Sequence, residues 1–160
     1  MEDSIIIRAM SEDDYDGLLK LWHSIEGMAI RSIDDSRADV IRFIKRNPTT
    51  SVVAVDESTG RIVGSILCGN DGRQGSFYHV CVSRDYRRRG IGTKMVVCCM
   101  NALKDLEINK ITLIAFTSNS GGNAFWKKIG WTHREDCNYY EFVLNEDNIT
   151  RFVEAEIDDA

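Results

Sequence analysis

Apolar positions along the chain change their spacing several times, and each change marks an element. Ile5, Ile6 and Ile7 form a short β-branched run that predicts a first strand. Ser11 followed by Glu12, Asp13 and Asp14 is a helix start, a capping hydroxyl with carboxylates in the first turn. Behind it Tyr15, Leu18, Leu19, Trp22 and Ile25 recur at helical spacing. Residues 26–35 contain Gly27 and show no clear period. A second helix is predicted from Ser36 through Val40, Ile41 and Ile44, ending before Asn47 and Pro48, the only proline of the chain. The middle then turns strand-like: 52–55 and 62–68 read as a hairpin around a turn at 56–60, and 76–82 as a third strand beyond the Gly-, Asn- and Asp-rich turn 69–75. These strands predict an antiparallel meander. The helical period returns with Ile91, Met95, Cys99, Ala102, Leu103 and Leu106 on one face. The run 111–116 is nearly all apolar, as expected of a strand covered on both faces. A short helix at 123–129 and a last strand at 139–144 complete the reading.

With 160 residues, 43% of them hydrophobic and 28% charged, the chain fits one mixed α/β domain over residues 1–145, followed by an acidic tail at 146–160, a surface helix or frayed end. Collagen, a disordered chain and a disulfide-stapled miniprotein are excluded. The net charge of −5 argues against nucleic acid as a partner. No apolar run approaches the ~20 residues that cross a bilayer, so no membrane partner is expected. Met1, Glu2, Asp3 and Ser4 lack the basic start of a secretory signal, and a cytoplasmic location is expected. The five cysteines, Cys68, Cys81, Cys98, Cys99 and Cys137, form no C-x-x-C pair. They read as apolar thiols in a reducing compartment, with no metal site expected.

Candidate chemistry concentrates where the third meander strand hands over to the long helix. Val80, Cys81 and Val82 are followed by a turn with four arginines, Arg84, Arg87, Arg88 and Arg89, and then by Gly90, Ile91 and Gly92 at the helix start. A helix start presents unpaired backbone N–H groups and partial positive charge, and glycine lets an anion approach them closely. The combination suits a phosphate or pyrophosphate. It is neither a Walker loop nor a dinucleotide fingerprint, since no G-K-[ST] and no G-x-G-x-x-G occurs. The segment from Val82 to Gly92 resembles the acyl-CoA signature [Q/R]-x-x-G-x-[G/A] of the GNAT superfamily of N-acetyltransferases. Downstream, the segment from Asn119 through Ala124, Phe125 and Trp126 to Gly130 and Trp131 is similar to that family's N-x-x-A-x-x-[FL]-Y-x-x-x-G-[FW] helix.

The resemblance implies an α/β (α+β) fold: a mixed, mostly antiparallel central sheet of about six or seven strands, splayed between the fourth and fifth, with about four flanking helices. It also implies acetyl-CoA as cosubstrate. Its pantetheine arm would lie along Val80, Cys81 and Val82, and its pyrophosphate on the N–H groups of Arg87, Arg88, Arg89, Gly90, Ile91 and Gly92, with Asn119 near its far end. Where the family carries a general-acid Tyr, this chain carries Trp126. An indole does not release a proton near neutral pH, so Trp126 is read as packing against the cofactor or the core.

Two catalytic candidates stand on the third meander strand. Strand alternation sends Ser76, Tyr78, Val80 and Val82 to one side; the resemblance implies that a base on this strand stands an even number of residues before the Val82 position, which favours Tyr78 as a hydrogen-bonding or relay group. His79 has the side chain better suited to base work, but alternation sends it to the other face unless a bulge intervenes. Tyr139 and Tyr140 are further candidates. Trp22 and His23 lie on a helix that borders the acceptor groove in this family, Glu26, Asp34 and Asp35 are acidic groups able to meet a cationic amine, and Asp71, Gly72 and Arg73 form a turn near it. His133 has no partner that the sequence reveals. The expected activity is acetyl transfer from acetyl-CoA to a primary amine of a small molecule or a protein. An acyl-CoA-binding sensor without turnover is the alternative, a plain anion-binding interaction domain a weaker one, and a homodimer is left open.

Overall fold

The computed structural model describes residues 4–155. The central strands form where the sequence is continuously apolar, because both faces of the sheet are covered. Every residue of β3 (Val52–Asp56) is buried, and so is nearly all of β4 (Arg61–Asn70). β3 pairs antiparallel with β1 (Ile5–Ala9) and with β4, and β4 pairs antiparallel with β5 (Gly75–Val82). β6 (Ile111–Thr112) joins β5 in parallel, giving a five-stranded sheet in the order β1-β3-β4-β5-β6. A separate two-stranded sheet pairs β2 (Ala29–Arg31) with β7 (Thr150–Phe152).

Helices cover both faces. On one side α1 (Tyr15–His23) and α2 (Arg37–Arg46) set Leu18, Trp22, Val40 and Ile44 against Val53, Leu67 and Cys81. On the other, α3 (Ile91–Asp105) sets Met95, Val96, Cys99 and Leu103 against Val63, Ile66, Cys68 and Phe77, with Phe125 and Trp126 of α4 (Ser120–Lys128) packed beside them. β3 divides its side chains accordingly, Val53 and Val55 to the first layer, Val52 and Ala54 to the second.

Local chemistry starts the helices. Ser36 accepts a bond from the Asp39 N–H at the head of α2 (3.3 Å). Before α1 the chain makes a short 3-10 turn, Glu12–Asp14, in which the Asp14 carboxylate accepts from the Ser11 N–H (2.8 Å) and from the Arg8 guanidinium (2.7 and 2.8 Å). Burial opposes charge on Asp14, but these donors outweigh it and hold the carboxyl below its ordinary value of 3.8. A carboxyl lowered in the folded state contributes stability above its unfolded value and loses it as pH falls through the folded one. Urea midpoints measured from pH 6 downward should therefore begin to fall as the pH nears 3.8, and Asp14→Asn should lower the midpoint at pH 6 while flattening that acid slope.

Four expectations need correction. Residues 26–35, without period in the sequence, contain β2, held by N–H···O bonds from Gly27 to Val153 (2.8 Å) and from Ser32 to Ile149 (2.9 Å). Those bonds draw β-prone residues of the 146–160 tail into a strand at Thr150–Phe152, where a surface helix or frayed end was expected; residues 156–160 lie outside the described residues. The apolar run 111–116 pairs only at Ile111 and Thr112, and Ile114 and Phe116 are exposed. No strand forms at 139–144, where Tyr140, Phe142 and Leu144 are each more than 80% exposed. β-prone side chains signal strand propensity, but a strand needs a ladder partner, and β6 is too short to supply one. The main sheet therefore has five strands where six or seven were expected.

Candidate active site

β5 and β6 meet only at Gly75 and Ser76, after which they diverge and leave the β6-facing edge of β5 open from Phe77 to Val82. The meeting point is tightly packed: a Cβ on Gly75 would lie 2.8 Å from Leu103 Cδ1, so the Leu103 side chain would have to shift. At the far end the Ser83 N–H bonds the Val63 carbonyl (2.7 Å), and Cys81 lies opposite Ser65 at the same parity. In an antiparallel ladder the intervening Val82 therefore turns its backbone groups toward the gap, while those of Cys81 face β4. Arg87 Nε donates to the Val82 carbonyl (3.2 Å), tying the basic turn to the strand end.

Between these points β5 carries a bulge. From the pair Leu67–Tyr78 to the pair Ser65–Cys81 the ladder advances two residues on β4 (67 to 65) and three on β5 (78 to 81). His79 takes up the extra residue with φ at +48°, a left-handed conformation that non-glycine residues adopt at a cost of about 1–3 kcal/mol. Ser65 Oγ, itself receiving a bond from Trp22 Nε1 (3.0 Å), donates to the His79 carbonyl (2.8 Å) and pins it. The bulge reverses the alternation expected from the sequence. Phe77, Val80 and Val82 belong to the α3 side, whereas Tyr78 packs edge-on against Phe43 of α2 and His79 against the Trp22 ring of α1 (centroids 4.7 Å). Tyr78 and Val80 thus lie on opposite faces, and His79 joins Tyr78.

His79 meets Asp35 on that face, Nε2 to Oδ1, at 2.7 Å. Asp35 is buried; its Oδ2 accepts from the Arg31 N–H (2.7 Å), and its backbone carbonyl accepts from the Tyr15 hydroxyl (2.7 Å). The sequence marked Asp35 only as one acidic group among several, and nothing in it joins two residues 44 positions apart. Beside them burial pushes the Cys81 thiol up to about 11, so it remains protonated and is no nucleophile.

At the head of α3 the turn opens through a short 3-10 segment, Arg84–Tyr86, and left-handed backbone at Arg88 (φ +62°) and Gly90 (φ +75°). The Tyr86 hydroxyl donates to Asp56 (2.7 Å), and the Arg89 guanidinium lies over the Tyr86 ring at 5.0 Å. The N–H groups of Arg88, Gly90, Ile91, Gly92 and Thr93 donate to no acceptor among the described residues. Such a concave row of free donors, rimmed by arginines, fits the diphosphate of coenzyme A.

The remaining candidates fall elsewhere. Asn119 caps α4, its Oδ1 accepting from the Gly122 N–H (3.0 Å). Trp126 packs tilted or edge-on against Phe77, Phe125 and Trp131 at centroid distances of 6.1, 5.0 and 4.7 Å, an aromatic cluster on the α3 side of the core. Trp22 is fully buried and His23 exposed. Asp71 accepts from the N–H groups of Arg73 and Gln74 (2.8 Å each), which is turn chemistry. Tyr140 is exposed, and Tyr139 donates to Glu141 (3.1 Å) on a rim where its hydroxyl also feels Arg31 and Tyr78. Glu26 is exposed, Asp34 pairs with Arg31 (3.4 Å), and His133 lies 3.8 Å from Glu135.

A sheet parted beside a helix-start cradle defines the class of acyl-CoA-dependent transferases. The chain belongs to the acetyltransferase (GNAT) family, whose description matches residues 16–131. It is 30% identical over 131 residues to an acetyltransferase of Pectobacterium atrosepticum, covering 82% of this chain and 89% of that one. It is 34% identical over 125 residues to an acetyltransferase of Yersinia pseudotuberculosis serotype I, covering 78% and 86%. The fold is similar to that of the PaiA N-acetyltransferase of Thermoplasma acidophilum in complex with coenzyme A, with a TM-score of 0.71 at 16% identity over 92% of this chain and 96% of the other. It is also similar to an aminoglycoside acetyltransferase from an uncultured soil metagenomic sample in complex with sisomicin, with a TM-score of 0.65 at 16% identity over 89% and 97%. The chain is an acyltransferase, and acyl transfer from acetyl-CoA is the family's general chemistry. Among the described residues no helix is long and apolar enough to cross a membrane.

Proposed function

We propose that the protein transfers the acetyl group of acetyl-CoA to the primary amine of a cationic acceptor, by direct attack on the thioester, with His79 as the proton acceptor. The observation that carries this reading is the bulge at His79, which brings an imidazole to the α1/α2 face of the strand bordering the sheet opening. The free N–H groups at the head of α3 would hold the diphosphate, and the open edge at Val82 the pantetheine arm.

The acceptor arrives as an ammonium ion, which has no lone pair to attack with. His79 takes one proton from it. The freed amine nitrogen forms a bond to the thioester carbonyl carbon and becomes cationic; it gives its second proton to water as the C–S bond breaks, the electron pair of that bond going to sulfur, and coenzyme A departs as a thiolate. A thiol of pKa near ~8.5 is a good enough leaving group to go unassisted and take its proton from water, so Trp126 needs no acid role. The sum is R–NH3+ plus acetyl-CoA giving the acetamide, coenzyme A thiol and one proton. Holding amine and thioester together supplies much of the rate.

A cationic acceptor is supported by the net charge of −5 and by Asp34 and Glu141 on the Arg31–Tyr78–Tyr139 rim. A cytoplasmic location goes with this reading. Purified protein incubated with acetyl-CoA and a panel of polyamines, aminoglycosides, amino acids and amine-bearing peptides should release free thiol with cationic members. Thiol release no higher than the acceptor-free blank across the panel would overturn the proposal.

A further inference from the structure

We infer that Asp35 is a positioning residue for His79, its buried carboxylate selecting the ring tautomer and leaving Nδ1 as the basic nitrogen that solvent reaches. The inference rests on the reading of His79 as proton acceptor and goes beyond it, because it assigns the nitrogen and the group that orients it.

Hydrogen-bond bookkeeping selects the tautomer. Asp35 Oδ2 already accepts from a backbone donor, the Arg31 N–H at 2.7 Å, so that oxygen is a lone-pair carrier. An ionised carboxylate only accepts, so the 2.7 Å contact between Oδ1 and His79 Nε2 places the hydrogen on Nε2. The neutral ring then carries its lone pair on Nδ1. Nδ1 makes no bond to a described residue, yet no buried polar side-chain atom among the described residues lacks a partner. Nδ1 therefore touches solvent at the edge of a side chain that is 15% exposed.

The packing makes this arrangement specific. The Asp35 carbonyl is held by the Tyr15 hydroxyl of α1, and the His79 ring lies against Trp22 of the same helix. Trp22 in turn holds Ser65 of β4, whose hydroxyl bonds the His79 carbonyl and keeps the bulge. The groups in contact with this pair are the Tyr15 hydroxyl and the Trp22 ring from α1, the Arg31 N–H from β2 and the Ser65 hydroxyl from β4. Asp35 is the one carboxylate among the described residues in contact with the ring. When Nδ1 takes the amine proton, the cation forms beside a fixed anion and needs little reorganisation.

The test combines side-chain nitrogen NMR with a double-mutant cycle. In 15N-labelled wild-type protein above the titration range, His79 should show the Nε2–H tautomer; the Nδ1–H tautomer would overturn the inference whatever the variants do. Asp35→Asn should lower the plateau of kcat/KM about 100-fold, within the range of general acid–base effects, because an amide can donate to Nε2 and move the hydrogen to Nδ1. In a His79→Gln background the same change should alter kcat/KM by no more than about twofold, because Asp35 acts through the ring. An Asp35→Asn loss of the same size in both backgrounds would mean a merely structural carboxylate and overturn the inference. Full activity in His79→Gln would instead overturn the reading of His79 as proton acceptor.

Discussion

Gly90→Glu weakens coenzyme A binding more than about 100-fold while the fold persists. Gly90 sits at φ +75° with open space where a Cβ would go, so the substitution meets backbone strain but no steric clash. Left-handed backbone costs a non-glycine residue roughly 1–2 kcal/mol, well inside a domain stability of about 5–15 kcal/mol. The larger effect is electrostatic. A carboxylate roughly 5 Å from a diphosphate charge, at an effective dielectric of about 20, is repelled by about 3 kcal/mol, which raises Kd more than 100-fold. Asparagine tolerates left-handed backbone and carries no charge, so Gly90→Asn should keep affinity within about tenfold. Calorimetric titration with coenzyme A, alongside circular dichroism to verify the fold, reads both. An unchanged Kd in Gly90→Glu would mean that the diphosphate does not sit on the free N–H groups of this turn.

His79→Gln is the second large effect. Removing a positioned general base lowers turnover by roughly 100- to 10,000-fold. Here kcat in a free-thiol assay should fall by about 100- to 1000-fold, toward the lower end because ammonium acceptors also lose protons to water. Coenzyme A affinity should be unchanged, since Val82 and the head of α3 lie beyond the residues the ring touches. Cofactor binding lost together with turnover would show that the histidine holds the strand rather than the proton. Turnover retained would transfer the role to another group on the rim, where Tyr78 and Tyr139 stand.

How far the sequence reveals this structure depends on whether the deciding interactions are local. The head of α2 lies one residue beyond its cap because the Ser36 hydroxyl reaches the Asp39 N–H, a bond contained within four residues. The apolar runs of β3 and β4 are readable because helices cover both faces of the sheet. The last third of the chain is different. Its strand at Thr150–Phe152 exists because residues 27–32, far away in sequence, offer it backbone partners, and the β-prone segment 139–144 forms no strand for want of one.

The candidate site divides along the same line. The glycines and arginines between Arg84 and Gly92 reveal a cradle because a turn and a helix start are local structures. The faces of β5 cannot be read from alternation, because no glycine or proline announces the bulge at His79; it is held by Ser65 and Trp22 from two other elements. The partnership with Asp35 is invisible for the same reason.

A crystal structure with coenzyme A tests the whole arrangement at once. The diphosphate oxygens should lie at hydrogen-bonding distance, about 3 Å, from the N–H groups of Arg88, Gly90, Ile91 and Gly92, with the pantetheine along Val82 and the sulfur emerging toward His79 Nδ1. A diphosphate bound elsewhere, or a sulfur emerging on the α3 face of the sheet away from that imidazole, would contradict it.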